Sequence, residues 1–279
     1  MYNAKIITDA GKEFRFGYDD GCLFDISPLS GSDVNITTSQ GFQQIGVTVE
    51  GQSVGSVRRT ITGTLLNKVA EAKMLSVLPV FTTGRLYVNE SRFCNITVNK
   101  TPEIRTSKFG KKTFSMQVFC DTPFWSNAND NSYIVSNYKK SFTFPVTYDS
   151  HTFAVRTENA FVNCFNGGDV SVPLTCEFTA DAEVENYGVI NIRTFEELRF
   201  EDVLKVGEKA RLYYENGRIK ATKEDADGNI IGILGKLTDS SNLFNVTPGD
   251  NILKISATSN EQFLKANITF RSAYMGVVV

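Results

Sequence analysis

Strict alternation of apolar and polar residues recurs along this chain. In Thr113-Phe-Ser-Met-Gln-Val-Phe-Cys120, the residues Phe114, Met116, Val118 and Cys120 share one parity, so they share one face of a strand. Pro123 ends that run, and Phe124 and Trp125 follow it. Ser126 to Ser132 is then almost wholly polar. The phrase predicts a domain that closes on two aromatics, with a second domain after it.

The first half reads as strands around one helix. Ala4–Thr8 and Glu13–Phe16 flank a turn at Gly11, and Val34–Ser39 and Gly46–Glu50 flank a Gly-Phe-Gln-Gln loop. In Ser56–Leu65, Val57, Ile61 and Leu65 take one side, while Ser56, Arg58, Thr60, Thr62 and Thr64 take the other. Arg59 interrupts the apolar side, which places it at the edge of the core or at an interface. Asn67 to about Leu78 is the helix. Asn67 is its N-cap candidate, Leu66, Ala70, Met74 and Val77 form a stripe in three- and four-residue steps, and Pro79 stops it. Arg85–Val88 and Phe93–Val98 are the next strands, and Lys108-Phe-Gly-Lys-Lys112 is a hairpin turn.

The stretch from Asn127 to Phe165 connects the halves. It carries Ser141-Phe-Thr-Phe-Pro145 and Thr152-Phe-Ala-Val155 as an extended arm or first strand, because Pro145 is ill-suited to a central strand. The second half is almost pure strand. Val170, Val172, Leu174, Cys176, Phe178 and Ala180 alternate with mostly polar neighbours, and Pro173 marks an edge or bulge. Ala210, Leu212 and Tyr214 lead into Asn216-Gly217, the strongest short-range hairpin signal, because a type I′ turn needs positive φ twice. Asp227-Gly228 and Pro248-Gly-Asp-Asn251 mark further turns. Leu264, Ala266, Ile268 and Phe270 point inward from the final strand, with Lys265, Asn267, Thr269 and Arg271 outward. Many short strands at this spacing imply a sandwich or jelly roll. The fold class is therefore all-β with one helix.

Composition narrows the function. The chain has 279 residues, enough for one large or two ordinary domains. With 41% hydrophobic and 22% charged residues, each half is expected to build a packed core. Lys and Arg total 29 against 31 Asp and Glu, so no basic field for nucleic-acid binding is present. The N-terminus has no apolar run after a positive start, and no stretch reaches the roughly 20 apolar residues of a membrane span. A soluble protein folding in a reducing cytoplasm, without membrane insertion, is expected.

No catalytic constellation emerges. His151 is the single histidine, and no Gly-x-Ser-x-Gly elbow accompanies it. Cys22, Cys94, Cys120, Cys164 and Cys176 include no CxxC pair and read as buried free thiols. Glu196, Glu197, Glu201 and Asp202 contain enough carboxylates for a glycosidase pair, but surface charge is the plainer reading. Gly46 to Gly55 lacks the Lys-Ser/Thr of a phosphate loop. Lys111-Lys112 and Lys139-Lys140 are isolated basic pairs. No enzyme, metal or cofactor is expected. Tyr213 and Tyr214 are adjacent in a strand and cannot both face a core, so one of them is the candidate for an exposed contact surface.

In their order, several weak motifs resemble the distal tail (Dit) proteins of long-tailed bacteriophages. In the first half these are Arg58-Arg59-Thr-Ile-Thr, the helix after it, Arg85-Leu-Tyr-Val, and the strand into Pro123-Phe124-Trp125. In the second they are Phe142-Thr-Phe-Pro145, Asn166-Gly-Gly-Asp-Val170 with Pro173, Gly207-Glu208, Pro248-Gly-Asp-Asn251 and Arg271-x-x-Tyr274-x-Gly276. The resemblance covers nearly the whole chain. It implies a ring-forming tail-tube-like β-barrel with a flanking helix over 1–135, and a galectin-like β-sandwich over 136–279 that includes part of the arm at 127–165. It further implies a homo-hexameric ring at the virion tail tip. That ring joins the tail tube protein to the tail-associated hub protein, supports receptor-binding proteins, and leaves a channel for DNA. Gly41, Phe42, Gln43, Gln44 and Arg59 are the expected ring or tube contacts, on the loops Gly41–Ile45 and Glu50–Gly55 and the strand beside them. Tyr213 and Tyr214 are the expected outer surface. The chain has no spare length for the carbohydrate-binding insertion of some relatives, so no strong direct glycan binding is expected. The competing reading is a jelly-roll receptor-binding or lectin-like module; a β-sandwich glycan hydrolase stands behind both.

Overall fold

A computed structural model describes residues 2–31, 34–136, 138–140, 154–156, 161–215 and 217–278. The regular secondary structure of the described residues is almost all strand, with one α-helix. It divides into two compact units, Met1–Asn129 with Ala273–Val279, and Asp130–Ser272. The sequence alone placed the boundary after residue 135 and ran the second domain to 279. In the structure the divide falls earlier, and the last residues return to the first unit.

The first unit is built on β1 (Ala4–Thr8), β2 (Glu13–Phe16), β3 (Cys22–Ser27), β4 (Val34–Ser39), β5 (Thr48–Val54), β6 (Val57–Leu65), helix α1 (Lys68–Val77), β7 (Thr83–Val88), β8 (Arg92–Thr106), β9 (Lys112–Cys120) and β10 (Trp125–Asn127). Its main sheet runs β2-β1-β7-β8-β9-β6-β3. No ladder joins the end strands β2 and β3 among the described residues. Their rings meet instead, with Phe16 and Phe24 at 5.4 Å between centroids. Alternation predicted the interior correctly. Phe114, Met116, Val118 and Cys120 are all buried, as are Ile61 of β6, which lies opposite Met116, and Leu65 at the end of the same strand. Gly63 is required by contact: a Cβ there would lie 1.9 Å from the Leu23 carbonyl oxygen of the paired strand.

Helix α1 begins where Asn67 accepts a hydrogen bond from the Ala70 N–H at 2.7 Å. Ala70, Met74 and Val77 are buried, but Leu66, predicted as part of that stripe, is half exposed. It precedes the cap, so it lies outside the helical repeat. Two further expectations shift. β8 extends well past Val98, through two register irregularities at Val98/Lys100 and Lys100/Glu103. The stretch Glu50–Gly55, expected as a loop, is mostly strand: β5 pairs with β4 across a bulge in which Glu50 is the extra residue.

The second unit contains β11 (Asn131–Ser136), the paired segments β12 (Tyr138–Lys140) and β13 (Ala154–Arg156), β14 (Phe161–Asn166), β15 (Val172–Ala180), β16 (Val184–Glu185), β17 (Gly188–Asn191), β18 (Glu197–Arg199), β19 (Val203–Leu204), β20 (Lys209–Glu215), β21 (Arg218–Glu224), β22 (Ile230–Gly232), β23 (Asn245–Val246), β24 (Gly249–Ser256) and β25 (Leu264–Phe270). Two principal sheets run β11-β25-β15-β20-β21-β22 and β14-β24-β17-β18. Phe178 from the first meets Tyr187 and Phe200, which flank β17 and β18 of the second, at 5.4 and 6.2 Å between centroids. The inward residues of β15 and β25 are buried as the alternation required. Pro173 lies opposite Asn245 of the two-residue β23, away from the long β20 ladder, which fits its missing donor.

The turn motifs are held by buried asparagines. Asn166 donates through Nδ2 to the Val170 and Val246 carbonyls and accepts from the Gly168 N–H. Asn251 donates to the carbonyls of Cys164, Thr247 and Gly249 and accepts from the Thr247 N–H. These side chains satisfy turn backbone that would otherwise be buried without partners. The stretch 141–145 and the first two residues of Thr152-Phe-Ala-Val155 lie outside the described residues.

Candidate interaction surface

The residues named from sequence fall into three places. Arg59 is completely buried in the first unit. One guanidinium nitrogen, Nη1, donates to the Pro28 carbonyl and Nη2 donates to the Pro123 carbonyl at 2.7 Å. The guanidinium also stacks over the Trp125 ring at 4.4 Å. Trp125 is itself fully buried and donates from its indole nitrogen to the Leu29 carbonyl at 2.9 Å. The final strand β26 (Ala273–Tyr274) pairs with β10, and Arg92 lies over the Tyr274 ring at 3.6 Å while donating to the Gly276 carbonyl. A cation on the apolar face of β6 thus holds two loops and an aromatic together, with no surface left for a partner.

Gly41, Phe42, Gln43 and Gln44 form the tip between β4 and β5. Gln44 orders it from within: its side-chain oxygen accepts from the Gly41 N–H at 2.8 Å, and its side-chain nitrogen donates to Thr48 Oγ1 at 2.9 Å. Gln43 takes a left-handed backbone, φ 61°. The outcome is a structured tip that presents Phe42 and Ile45 fully to solvent. Among the described residues, strands β4 and β5 pair only with each other. Directly opposed residues share a face, so Val34 and Val54, Ile36 and Gln52, and Thr38 and Val49 line one side. Val34, Ile36, Val49 and Val54 are 44–56% exposed. Sequence reasoning singled out the loop but missed this face. The signal was present in the parity of Val34 and Ile36, while the bulge at Glu50 obscured it on the partner strand.

Tyr213 and Tyr214 lie on opposite faces of β20, opposed to Lys220 and Ile219. Neither is freely exposed. Both are partly buried, Arg211 packs over the Tyr213 ring at 5.1 Å, and burial raises the Tyr214 hydroxyl above its ordinary pKa.

The groups considered for chemistry are engaged elsewhere. Glu197 pairs with Arg199 at 2.6 Å, and Asp202 pairs with Lys223 at 3.2 Å. Burial opposes the Lys223 charge, but Glu208 and Asp202 outweigh it and raise its pKa. All five cysteines are buried and unbridged. Burial pushes the Cys22 and Cys164 thiols up to about 12. Cys94 and Cys120 touch at 3.7 Å; their shared hydrogen bond keeps Cys94 protonated and lowers Cys120. Among the described residues no group of three or more His, Cys, Asp or Glu could hold a metal, and no helix is long and apolar enough to cross a membrane. His151 lies outside the described residues.

No family model and no curated protein matches the sequence. The architecture does find counterparts among solved structures. The Dit protein of SPP1, described as a paradigm of the hub adsorption apparatus in phages infecting Gram-positive bacteria, superposes with a TM-score of 0.66 at 10% identity, over 97% of this chain and 99% of that one. The two chains share a fold. A chain of the phage P2 baseplate in its activated conformation with Ca aligns at a TM-score of 0.47 and 11% identity, over 99% of this chain and all of that one. The strontium form gives 0.44 and 10%, over 97% and 98%.

Proposed function

We propose that this chain is a structural, non-enzymatic distal tail protein located at the tip of a siphophage-like tail. The observation that carries the reading is the end-to-end correspondence with SPP1 Dit, which spans both units rather than one widespread β-domain. Fold alone does not assign function. Here the fold agrees with an independent order of sequence motifs and with a protein whose notable free surface is apolar rather than catalytic.

In this reading six copies form a ring through the first unit. The ring joins the tail tube to the hub protein and supports receptor-binding proteins. The first unit then acts as a tube-like barrel closed by its neighbours, and the second as a galectin-like sandwich. A closed ring covers strand edges that would otherwise be open to pairing. A formal charge of −2 suits a conduit that passes DNA without holding it. The tip Gly41–Gln44 is the proposed ring or tube contact, and the Tyr213–Tyr214 region the proposed outer surface.

Negative-stain microscopy of the purified protein, alone and with the hub protein, tests this. Sixfold rings are the expected result. Persistent trimers with receptor affinity would replace the reading with a receptor-binding module.

A further inference from the structure

Arg59 is a fully buried cation that forms no ion pair among the described residues. The Pro28 and Pro123 carbonyls accept from two of its nitrogens, but Nε has no hydrogen-bond partner. A buried charge without a counter-ion is costly. Two thiols lie beside it. Arg59 is opposite Val118 of β9, and Cys120 is two residues further along that strand, on the same face. Cys94 and Cys120 are 2% and 0% exposed, and their sulfurs are 3.7 Å apart.

The two sulfurs are not equivalent. The hydrogen bond from Cys94 favours the Cys120 thiolate most, and the Arg59 charge adds to it against the cost of burial. That same bond, together with burial, keeps Cys94 protonated. Burial raises the other three thiols, Cys22, Cys164 and Cys176, above their ordinary range. Since the thiolate is the nucleophile, reactivity concentrates at Cys120, with a second thiol already in contact.

We propose that Cys94 and Cys120 form a peroxide-sensitive dithiol, with Cys120 as the attacking sulfur, Cys94 as the resolving sulfur and Arg59 as the counter-ion of the thiolate. The Cys120 thiolate attacks one oxygen of hydrogen peroxide. The O–O bond breaks, hydroxide leaves and takes up the proton that Cys120 gave up, and Cys120 becomes a sulfenic acid. The Cys94 sulfur then attacks that sulfur. An S–S bond forms, the S–O bond breaks, and the hydroxyl leaves with the Cys94 proton as water. Two thiols lose two electrons in all, and one peroxide becomes two waters. The sulfurs close from 3.7 Å to about 2.0 Å, between strands β8 and β9 that are already paired. Peroxide is close to water in size, so small local openings of the native fold admit it. At a tail tip the bond would close once a particle leaves the reducing cytoplasm, after folding is complete. The chemistry itself does not depend on the tail-tip reading.

The test treats the folded, reduced, full-length protein with hydrogen peroxide, then unfolds it in guanidinium with iodoacetamide and maps the peptides by mass spectrometry. A Cys94–Cys120 disulfide is expected, with Cys22, Cys164 and Cys176 alkylated. The urea transition followed at Trp125 should move to higher denaturant and return after dithiothreitol. Cys94→Ser should stop at the sulfenic acid, which dimedone captures on Cys120 when the chain is unfolded in its presence. Cys120→Ser should slow oxidation of Cys94 by at least about tenfold. Five alkylated cysteines after peroxide, a different pairing, or oxidation spread evenly over all five thiols would overturn the proposal. A dimedone adduct on Cys94 rather than Cys120 would overturn the assigned roles. None of these outcomes bears on ring formation, which microscopy tests separately.

Discussion

At the scale of single residues, Arg59 illustrates how a rule of alternation can be broken to good effect. Its β6 position requires it to face inward, and the site supplies two carbonyls and the face of Trp125. Arg59→Met would retain most of the volume but strand the Pro28 and Pro123 carbonyls, each at about 1–3 kcal/mol. We expect the first unit to lose about 2–4 kcal/mol of stability. Trp125, the chain's one tryptophan, is packed against the mutated site and reports the loss as an earlier fluorescence transition in urea. An unchanged midpoint would mean the guanidinium is dispensable. From sequence the conflict at Arg59 was legible but its resolution was not. Pro28 and Pro123 are 31 and 64 residues away from it along the chain, and nothing local announces that they converge.

At the scale of elements, helix α1 was almost fully readable. Asn67, the buried three- and four-residue steps and Pro79 are local signals, and each acts within one turn. Asn67→Ala removes the acceptor for the Ala70 N–H and is expected to cost about 1 kcal/mol, measured by chemical denaturation. Asn67→Asp, which keeps the oxygen, should cost much less. The hairpin was less readable. Gly51 resembled a loop residue, yet it pairs with Thr37 because the bulge absorbs Glu50. A bulge shifts the parity downstream by one, so pattern alone assigns the wrong face until the partner strand is known. The hairpin's exposed apolar face is therefore a property of register, not of composition.

At the scale of the whole molecule, the buried thiols set a pH dependence. Cys22 and Cys164 ionise at about 12 in the folded chain against an ordinary 9.0. Between these values the unfolded chain has lost protons that the folded chain keeps. Stability is therefore whole below about pH 9 and falls as pH rises toward 12, by about 1.4 kcal/mol per pH unit for each thiol within that window. Lys223, raised by Glu208 and Asp202, adds the same sign at its upper end. Urea midpoints that hold steady from pH 8 to 11 would refute this. Maleimide labelling at neutral pH should likewise leave all five thiols unmodified until the chain unfolds, because each is buried.

What the sequence determined by itself was the class of the protein: β-rich with one helix among the described residues. These follow from parity, caps and turn residues, which act over a few positions. Even the plug at Trp125 was announced by its neighbours. The tertiary structure decided the matters that depend on distant partners. It returned Ala273–Tyr274 to the first unit beside Trp125 and buried Arg59 against two remote carbonyls. It also left the β4–β5 face uncovered. A strand pattern specifies which side of a residue is apolar; only the packed chain specifies whether anything lies against it.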